Sequence, residues 1–330
     1  MNRQHTLLRC WLAVFLFTLP HTPSLADKHH DPIVAFGDSL SDPGNTYHLY
    51  GVALTPPYET LDALLLPQAP FAIGGYRFSN GPTWIEQFAR SLTPHSSAGP
   101  AYADWLPGRE RGTNYAVGGA CARHNGGGYD LTDQVNHYLS QRADHVEAET
   151  LYVIELGAND VSDAMSAFTL DATGAASAAI VSSALTAISD NIQSLYAGGA
   201  RRFLLSNVPD ISLTPAIRKL DVIAPGSVMA ASIVSAQFNA GIDSLIAQLE
   251  RQLPGLSLTK LDFHDWLNEI VRNPERYHLT NVTDACIMPN VAPYNCLEPE
   301  RYFFWDGIHP TTAGHSIFAD FSRKVLHSVP

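Results

Sequence analysis

The chain has 330 residues, 45% of them apolar and 16% charged, with 32 acidic side chains against 20 basic ones and a net charge of -12. That much apolar residue suffices for a large buried core, and length alone allows one domain or two. The acidic balance repels phosphate backbones, so nucleic acid is not expected as a partner.

At the amino terminus, Arg3 and Arg9 precede an apolar run, CWLAVFLFTL at 10–19, and SLA at 24–26 supplies small residues for cleavage. Residues 1–26 therefore read as a secretory signal peptide. The run is short of the roughly 18 apolar residues of a spanning helix. Removing it takes two of the 20 basic residues and none of the acidic ones, moving the net charge to about -14. A soluble, secreted or periplasmic protein is expected, with residues 27–330 as a single domain. No linker, low-complexity tract or repeat divides it.

The first apolar run after the signal, IVAF at 33–36, reads as a strand that breaks at Gly37 into DSLSDPGN. Residues 47–149 form a loop-rich insertion dense in Gly, Pro and aromatics, with TPPY, LPQAP, GGYRFSNGPTW and NGGGYD. Strands follow at LYVIEL (151–156), RFLLSNV (202–208) and LSLTKLDF (256–263). Between them the spacing predicts helices over 175–197, with Ile180, Leu185, Ile188, Ile192 and Leu195 on one face, and over 228–253. A last helix spans 311–326. Strands alternating with helices imply a parallel sheet covered on both faces, an open α/β fold. Ligands in such folds lie at the carboxyl ends of the strands.

Polar residues cluster at those ends. Ser39 follows the first strand, NYAVGGA (114–120) closes the insertion, GAND (157–160) follows the second strand, and DGIHP (306–310) precedes the last helix. A serine hydroxyl becomes a nucleophile only when a base takes its proton and a third group orients that base. Asp306 and His309, three residues apart, can form that pair on one turn. A developing oxyanion needs donors: the amides of Ser39 and Gly119 and the side chain of Asn159 are candidates. Each group alone has a plain reading. GDS is a common turn, Asp306 suits a solvated turn and His309 a helix entry, Asn159 suits a left-handed turn, and Gly118 and Gly119 suit a bend. Together, at strand ends, they make an acyl-transfer set.

Other features carry less. Gly126, Gly127 and Gly128 lack the Lys and Ser or Thr of a phosphate loop. His29 and His30 have no partner at metal-ligand spacing, there is no HExxH pattern, and neither metal nor cofactor is expected. NVT at 281–283 is a glycosylation sequon. Cys10 leaves with the signal; Cys286 and Cys296 bracket IMPNVAPYN and are expected to pair in an exported protein, leaving Cys121 as a buried thiol, against a rival in which two or three cysteines stay free.

FGDSLSD, NYAVGGA, GAND and WDGIHPT, in that order and spanning nearly all of the mature chain, resemble the four blocks of the GDSL esterases and lipases, the SGNH hydrolases. The resemblance implies a three-layer α/β/α sandwich, flavodoxin-like, with a mostly parallel central sheet. It implies Ser39 as nucleophile, His309 as general base, Asp306 as its orienting group, and an oxyanion hole of Ser39, Gly119 and Asn159. Gly119 occupies the donor position of its block, with Gly118 as the fallback. GYRFSNGPTWIEQ, SNVPDISLTP and the paired cysteines are similar to a secreted bacterial branch of lipases, phospholipases and lipid acyltransferases, whose disulfide matches Cys286 to Cys296. Carbohydrate acetylesterases and plant GDSL lipases share similar blocks. No barrel-like segment follows Pro330, so the autotransporter type is not expected. One departure is Pro43, where many relatives have threonine; a proline at a helix start costs little and leaves the catalytic reading intact.

The expected function is a serine esterase or lipase acting on small-molecule or lipid esters, with transient lipid-surface contact and an oligomeric state that the sequence leaves open. The alternatives are a lipid acyltransferase or phospholipase, a carbohydrate acetylesterase, and a binding module that kept the fold. Tyr76, Phe78, Trp84 and Trp105 either line or cover an acyl pocket or form the core of the insertion.

Overall fold

The structure, a computed structural model, describes residues 33–93, 96–103, 112–142, 146–171 and 173–328. The signal-peptide segment, His29, His30 and Trp105 lie outside these residues.

Each predicted strand forms: β1 (Ile33–Gly37), β2 (Leu151–Glu155), β3 (Arg202–Ser206) and β4 (Ser257–Leu261). They lie side by side in that order, all parallel, with Gly37 level with Glu155 at the end that matters below. Alternate side chains go to opposite faces. Val34, Phe36, Tyr152, Ile154, Phe203 and Leu205 pack on one side, and Ile33, Ala35, Leu151, Val153 and Leu204 on the other. Both sides are buried, which is why the strands read as unbroken apolar runs.

Nine helices are described around the sheet. In chain order they are α1 (Asn45–Tyr50), α2 (Trp84–Leu92), α3 (Leu131–Arg142), α4 (Ala158–Leu170), α5 (Ala175–Gly198), α6 (Pro215–Ile223), α7 (Ser227–Gln252), α8 (Phe263–Arg272) and α9 (Thr312–Ser328). The Phe36 face is covered by α3, α4, α5 and α7 through Val135, Val161, Ile188 and Phe238. The Ala35 face is covered by α2, α8 and α9 through Phe88, Trp266 and Phe318. This is the α/β/α sandwich that the motif resemblance implies. Each large side chain fully buried in these layers contributes about 1.5–3 kcal/mol.

The insertion holds more helix than its composition suggests. α2 starts at a capping box in which Glu86 accepts from the Thr83 N–H at 2.9 Å, and Asp130 accepts from the Asp133 N–H at 3.0 Å at the start of α3. The sheet's β1 edge is closed from the same region without a regular strand. Ala35 N donates to Thr113 O (2.9 Å), Tyr115 N to Ala35 O (2.7 Å) and Val117 N to Gly37 O (3.1 Å). Farther on, β5 (Asn281–Ala285) and β6 (Tyr302–Phe304) form a small parallel pair. The Cys286–Cys296 disulfide lies between them in sequence and packs with Phe71 and Trp305; Cys121 is a buried free thiol. Among the described residues no helix is long and apolar enough to cross a membrane.

Trp84 belongs to the core. Its ring is fully buried, edge-on to Phe263 with centroids 5.3 Å apart, and its Nε1 donates to Ser41 Oγ at 3.0 Å. Trp84→Ala should lower the unfolding free energy by about 3–5 kcal/mol, read from denaturant melts. A loss under about 1 kcal/mol would place the indole outside the core that holds the sheet.

Candidate active site

β1 delivers its last residue, Gly37, into a crowded corner. A Cβ there would stand 2.8 Å from Ser41 Cβ and 3.0 Å from Glu155 O, so only glycine lets the chain turn so sharply. Asp38 shapes the turn by accepting from Leu40 N at 3.0 Å, and Ser41 N donates to Asp38 O at 3.1 Å. Ser39 sits at the crest. Asp42 then accepts from Gly44 N (2.7 Å), Asn45 N (2.6 Å) and Thr46 N (3.1 Å), satisfying orphan donors at the start of α1. Pro43 precedes that helix and withdraws no donor from it.

The histidine arrives from the other end of the chain. After β6, the Asp306 carboxylate accepts from the N–H groups of Ile308 (2.9 Å) and His309 (2.7 Å) with one oxygen and from His309 Nδ1 (2.7 Å) with the other. Three donors satisfy a fully buried carboxylate. With Nδ1–H given to Asp306, the ring's Nε2 is left to accept, and it lies 2.7 Å from Ser39 Oγ. Gly307 is forced, since a Cβ would come within 2.1 Å of Leu64 O. The segment before α2 fixes where this turn sits. Ser79 Oγ donates to Pro310 O (2.8 Å), Thr312 N donates to Asn80 Oδ1 (2.8 Å), and Phe78 lies 5.3 Å from the His309 ring.

The two adjacent glycines differ. The Gly118 N–H is taken by Asp42 Oδ2 (3.0 Å) and Thr46 Oγ1 (2.8 Å), and a Cβ there would strike Phe78. Gly119 has φ +79°, open space where a Cβ would project, and an N–H without a hydrogen bond among the described residues. Asn159, in the first turn of α4, donates from Nδ2 to Ala120 O at 2.9 Å and more loosely to Asp38 Oδ2 at 3.4 Å. The Ser39, Gly119, Asn159, Asp306 and His309 positions thus meet at one place. The arrangement can deprotonate an alcohol and offer N–H donors beside it.

The aromatic group of the insertion divides. Trp84 is core, Phe78 is buried against His309, and Tyr76 lies outside on Tyr47 with ring centroids 3.6 Å apart. Residues without obvious chemistry turn out to hold the site together. Asp160 accepts from Ala122 N (2.7 Å) and Arg123 Nη1 (3.0 Å), tying the Gly119 loop to α4. Asn114 Nδ2 donates to Ser41 O (2.8 Å), and Asn45 Nδ2 donates to both Asn114 O and Ala116 O (2.8 Å each). Asp160 and Asn114 lie within the blocks and Asn45 three residues after the first of them, and nothing else in the sequence marks them. Asp262, His264 and Asp265 are near enough to share a cation, but Asp262 already accepts from Asn207 Nδ2 (2.7 Å) and pairs with Lys260 (3.1 Å).

A family model described as GDSL-like Lipase/Acylhydrolase matches residues 33–321. Similar proteins include two from Arabidopsis thaliana. GDSL esterase/lipase At5g42170 is 25% identical, with 87% of this chain and 84% of the relative covered; At1g73610 is 28% identical, covering 87% and 86%. Among solved structures, a catalytic variant of the acetylxylan esterase Axe2 from Geobacillus stearothermophilus is 13% identical, with TM-score 0.41, covering 89% of this chain and 93% of that one.

Beneath Ser39 lies a cluster of buried acids. Burial pushes the Asp38 carboxyl up to about 7, against the opposing pull of the Leu40 N–H and His309. Burial, with Asp38 nearby, holds Glu155 well above the usual carboxylate range; its carboxylate accepts from Ser41 Oγ at 2.7 Å. In the folded protein Asp38 keeps its proton to about 7, whereas in the unfolded chain it ionises near 3.8. The folded state therefore binds more protons between those values, and this group's contribution to stability is lost as pH rises across that window. Asp38→Asn, which keeps an acceptor for Leu40 N–H, should raise the melting temperature relative to wild type progressively from pH 4 to pH 8. A difference independent of pH would refute the shift.

Proposed function

The chain belongs to the GDSL-like lipase/acylhydrolase family and is a carboxylic ester hydrolase, and on that premise we propose that it is an exported serine esterase or lipase working through an acyl-enzyme on Ser39. The observation that carries the reading is the pair of 2.7 Å contacts from Ser39 Oγ to His309 Nε2 and from His309 Nδ1 to Asp306. Export rests on the pattern of residues 1–26, and a disulfide suits an oxidising compartment.

Ser39 Oγ attacks the ester carbonyl while its proton passes to His309 Nε2. The buried Asp306 carboxylate stabilises the resulting imidazolium and keeps Nδ1 protonated. The oxyanion accepts from the Ser39 and Gly119 amides. Asn159 adds a third donor by exchanging its long bond to Asp38 for the oxyanion while Ala120 O holds its other N–H. His309 then gives its proton to the leaving alcohol as the tetrahedral intermediate collapses. Water, deprotonated by the same Nε2, attacks the acyl group and regenerates Ser39. An Asp38 that holds its proton adds no negative charge beside the oxyanion. The exposed side chains of Tyr50, Val52 and Ile73 supply apolar surface for transient lipid contact.

The test is hydrolysis of p-nitrophenyl acetate, butyrate, octanoate and palmitate by the mature protein and its variants. Ser39→Ala should abolish turnover on every ester. Asn159→Ala should cost about 2.7–4 kcal/mol in the barrier, a hundredfold or more in kcat, with KM little changed. A preference for long chains marks a lipase and for acetate an acetylesterase; product formed with an added acceptor alcohol marks an acyltransferase. Full activity in Ser39→Ala would overturn the mechanism.

A further inference from the structure

Gln134, fully buried in the first turns of α3, bonds to the peptide groups of Gly37 on both sides. Its Oε1 accepts from Gly37 N at 2.9 Å, and its Nε2 donates to Gly37 O at 2.9 Å and to Tyr129 O at 2.9 Å. The pairing of β1 with residues 113–117 shows what this replaces. Ala35 N donates to Thr113 O and Ala35 O accepts from Tyr115 N, the regular parallel pattern. The next rung would take Gly37 N to Tyr115 O. Instead Gly37 N goes to the carboxamide, and only Val117 N still reaches Gly37 O.

The side chain therefore stands in for a strand at the point where the two backbones part. Gly37 is two residues before Ser39, and Val117 is two before Gly119. We propose that Gln134 is a positioning residue, setting the distance between the Ser39 hydroxyl and the Gly119 amide by completing the ladder at Gly37. The proposal rests on the serine-esterase reading above.

A carboxamide offers an acceptor and a donor together. A protonated glutamic acid does the same, an ionised one offers only acceptors, and leucine offers neither. Gln134→Glu should thus switch with pH, while Gln134→Leu should be impaired throughout. Asp38, Glu155 and Asp130, the acids around that point on the Ser39 turn, β2 and the start of α3, are present in every variant; Gln134→Leu adds no ionisable group, so a fall at the alkaline end confined to Gln134→Glu belongs to the added carboxyl.

The experiment measures kcat and KM on p-nitrophenyl butyrate from pH 5 to pH 8, with near-UV circular dichroism at each pH. For Gln134→Leu, kcat should fall about tenfold or more at every pH with KM within about threefold of wild type. For Gln134→Glu, kcat should lie within about threefold of wild type at the acid end and fall about tenfold or more at the alkaline end, reversibly. Values within about twofold of wild type for both variants across the range would overturn the proposal. So would a kcat that falls only in step with lost near-UV ellipticity, since Gln134 would then be merely structural. A pre-steady-state burst of p-nitrophenol in the wild type, absent from Ser39→Ala, tests the underlying reading separately; a burst that survives Ser39→Ala overturns that reading and this proposal with it.

Discussion

The 2.7 Å contact between Ser39 Oγ and His309 Nε2 joins two turns 270 residues apart, and most of the buried polar structure serves to keep those turns in register. On one side, Gly37 permits the bend, and Trp84 and Asn114 bond to Ser41 on its far flank. On the other, Asp306 gathers three donors, and Ser79 and Asn80 hold the chain as it enters α9. Trp84 and Asn80 lie in the same short stretch, so that stretch braces both turns at once. A shift of about an ångström between them would weaken proton transfer sharply.

Burying so many acids near one point carries a cost that differs from group to group. A carboxylate taken out of water must be paired, hydrogen-bonded or protonated. Asp306 and Asp42 are surrounded by N–H donors. Asp160 has two backbone amides and the Arg123 guanidinium, which oppose the upward push of burial without cancelling it. Glu155 has one hydroxyl donor, and burial drives it toward its neutral form. Burial pushes the Asp42 carboxyl up too, against the Thr46 hydroxyl and the N–H groups of Gly44, Thr46 and Gly118, and Asp38 and Glu155, the acids packed closest to the turn beneath Ser39, lean toward neutrality.

The parts of the fold that were legible in the sequence are those where packing imposes a period. Strands buried on both faces became continuous apolar runs, and α5, α7 and α9 are long enough to repeat their apolar face several times. α2, α3, α6 and α8 are short and follow turn-rich segments, so periodicity had little length in which to appear. Their signals were caps: Thr83 with Glu86, Asp130 before α3, Thr214 before Pro215, and Asp262 accepting from Asp265 N. The five proposed site residues were readable because their chemistry depends on residue type and each lies in a compact block. Asp160, Asn114, Asn45 and Gln134 were not, because they bond to backbone groups, which every residue carries and which leave no mark on the partner's sequence. The block position already favours Gly119 over Gly118, and the structure adds a physical reason, since Asp42 accepts from the Gly118 N–H.

The central claim is that His309 activates Ser39 as the nucleophile. It is tested most directly by treating the mature protein with a fluorophosphonate ester and mapping the adduct by peptide mass spectrometry. The account predicts one phosphonyl group, on Ser39, formed with loss of fluoride and at the same rate as ester hydrolysis is lost, and a much slower reaction in His309→Ala. An adduct on another residue, or full inactivation with Ser39 unmodified, would contradict it.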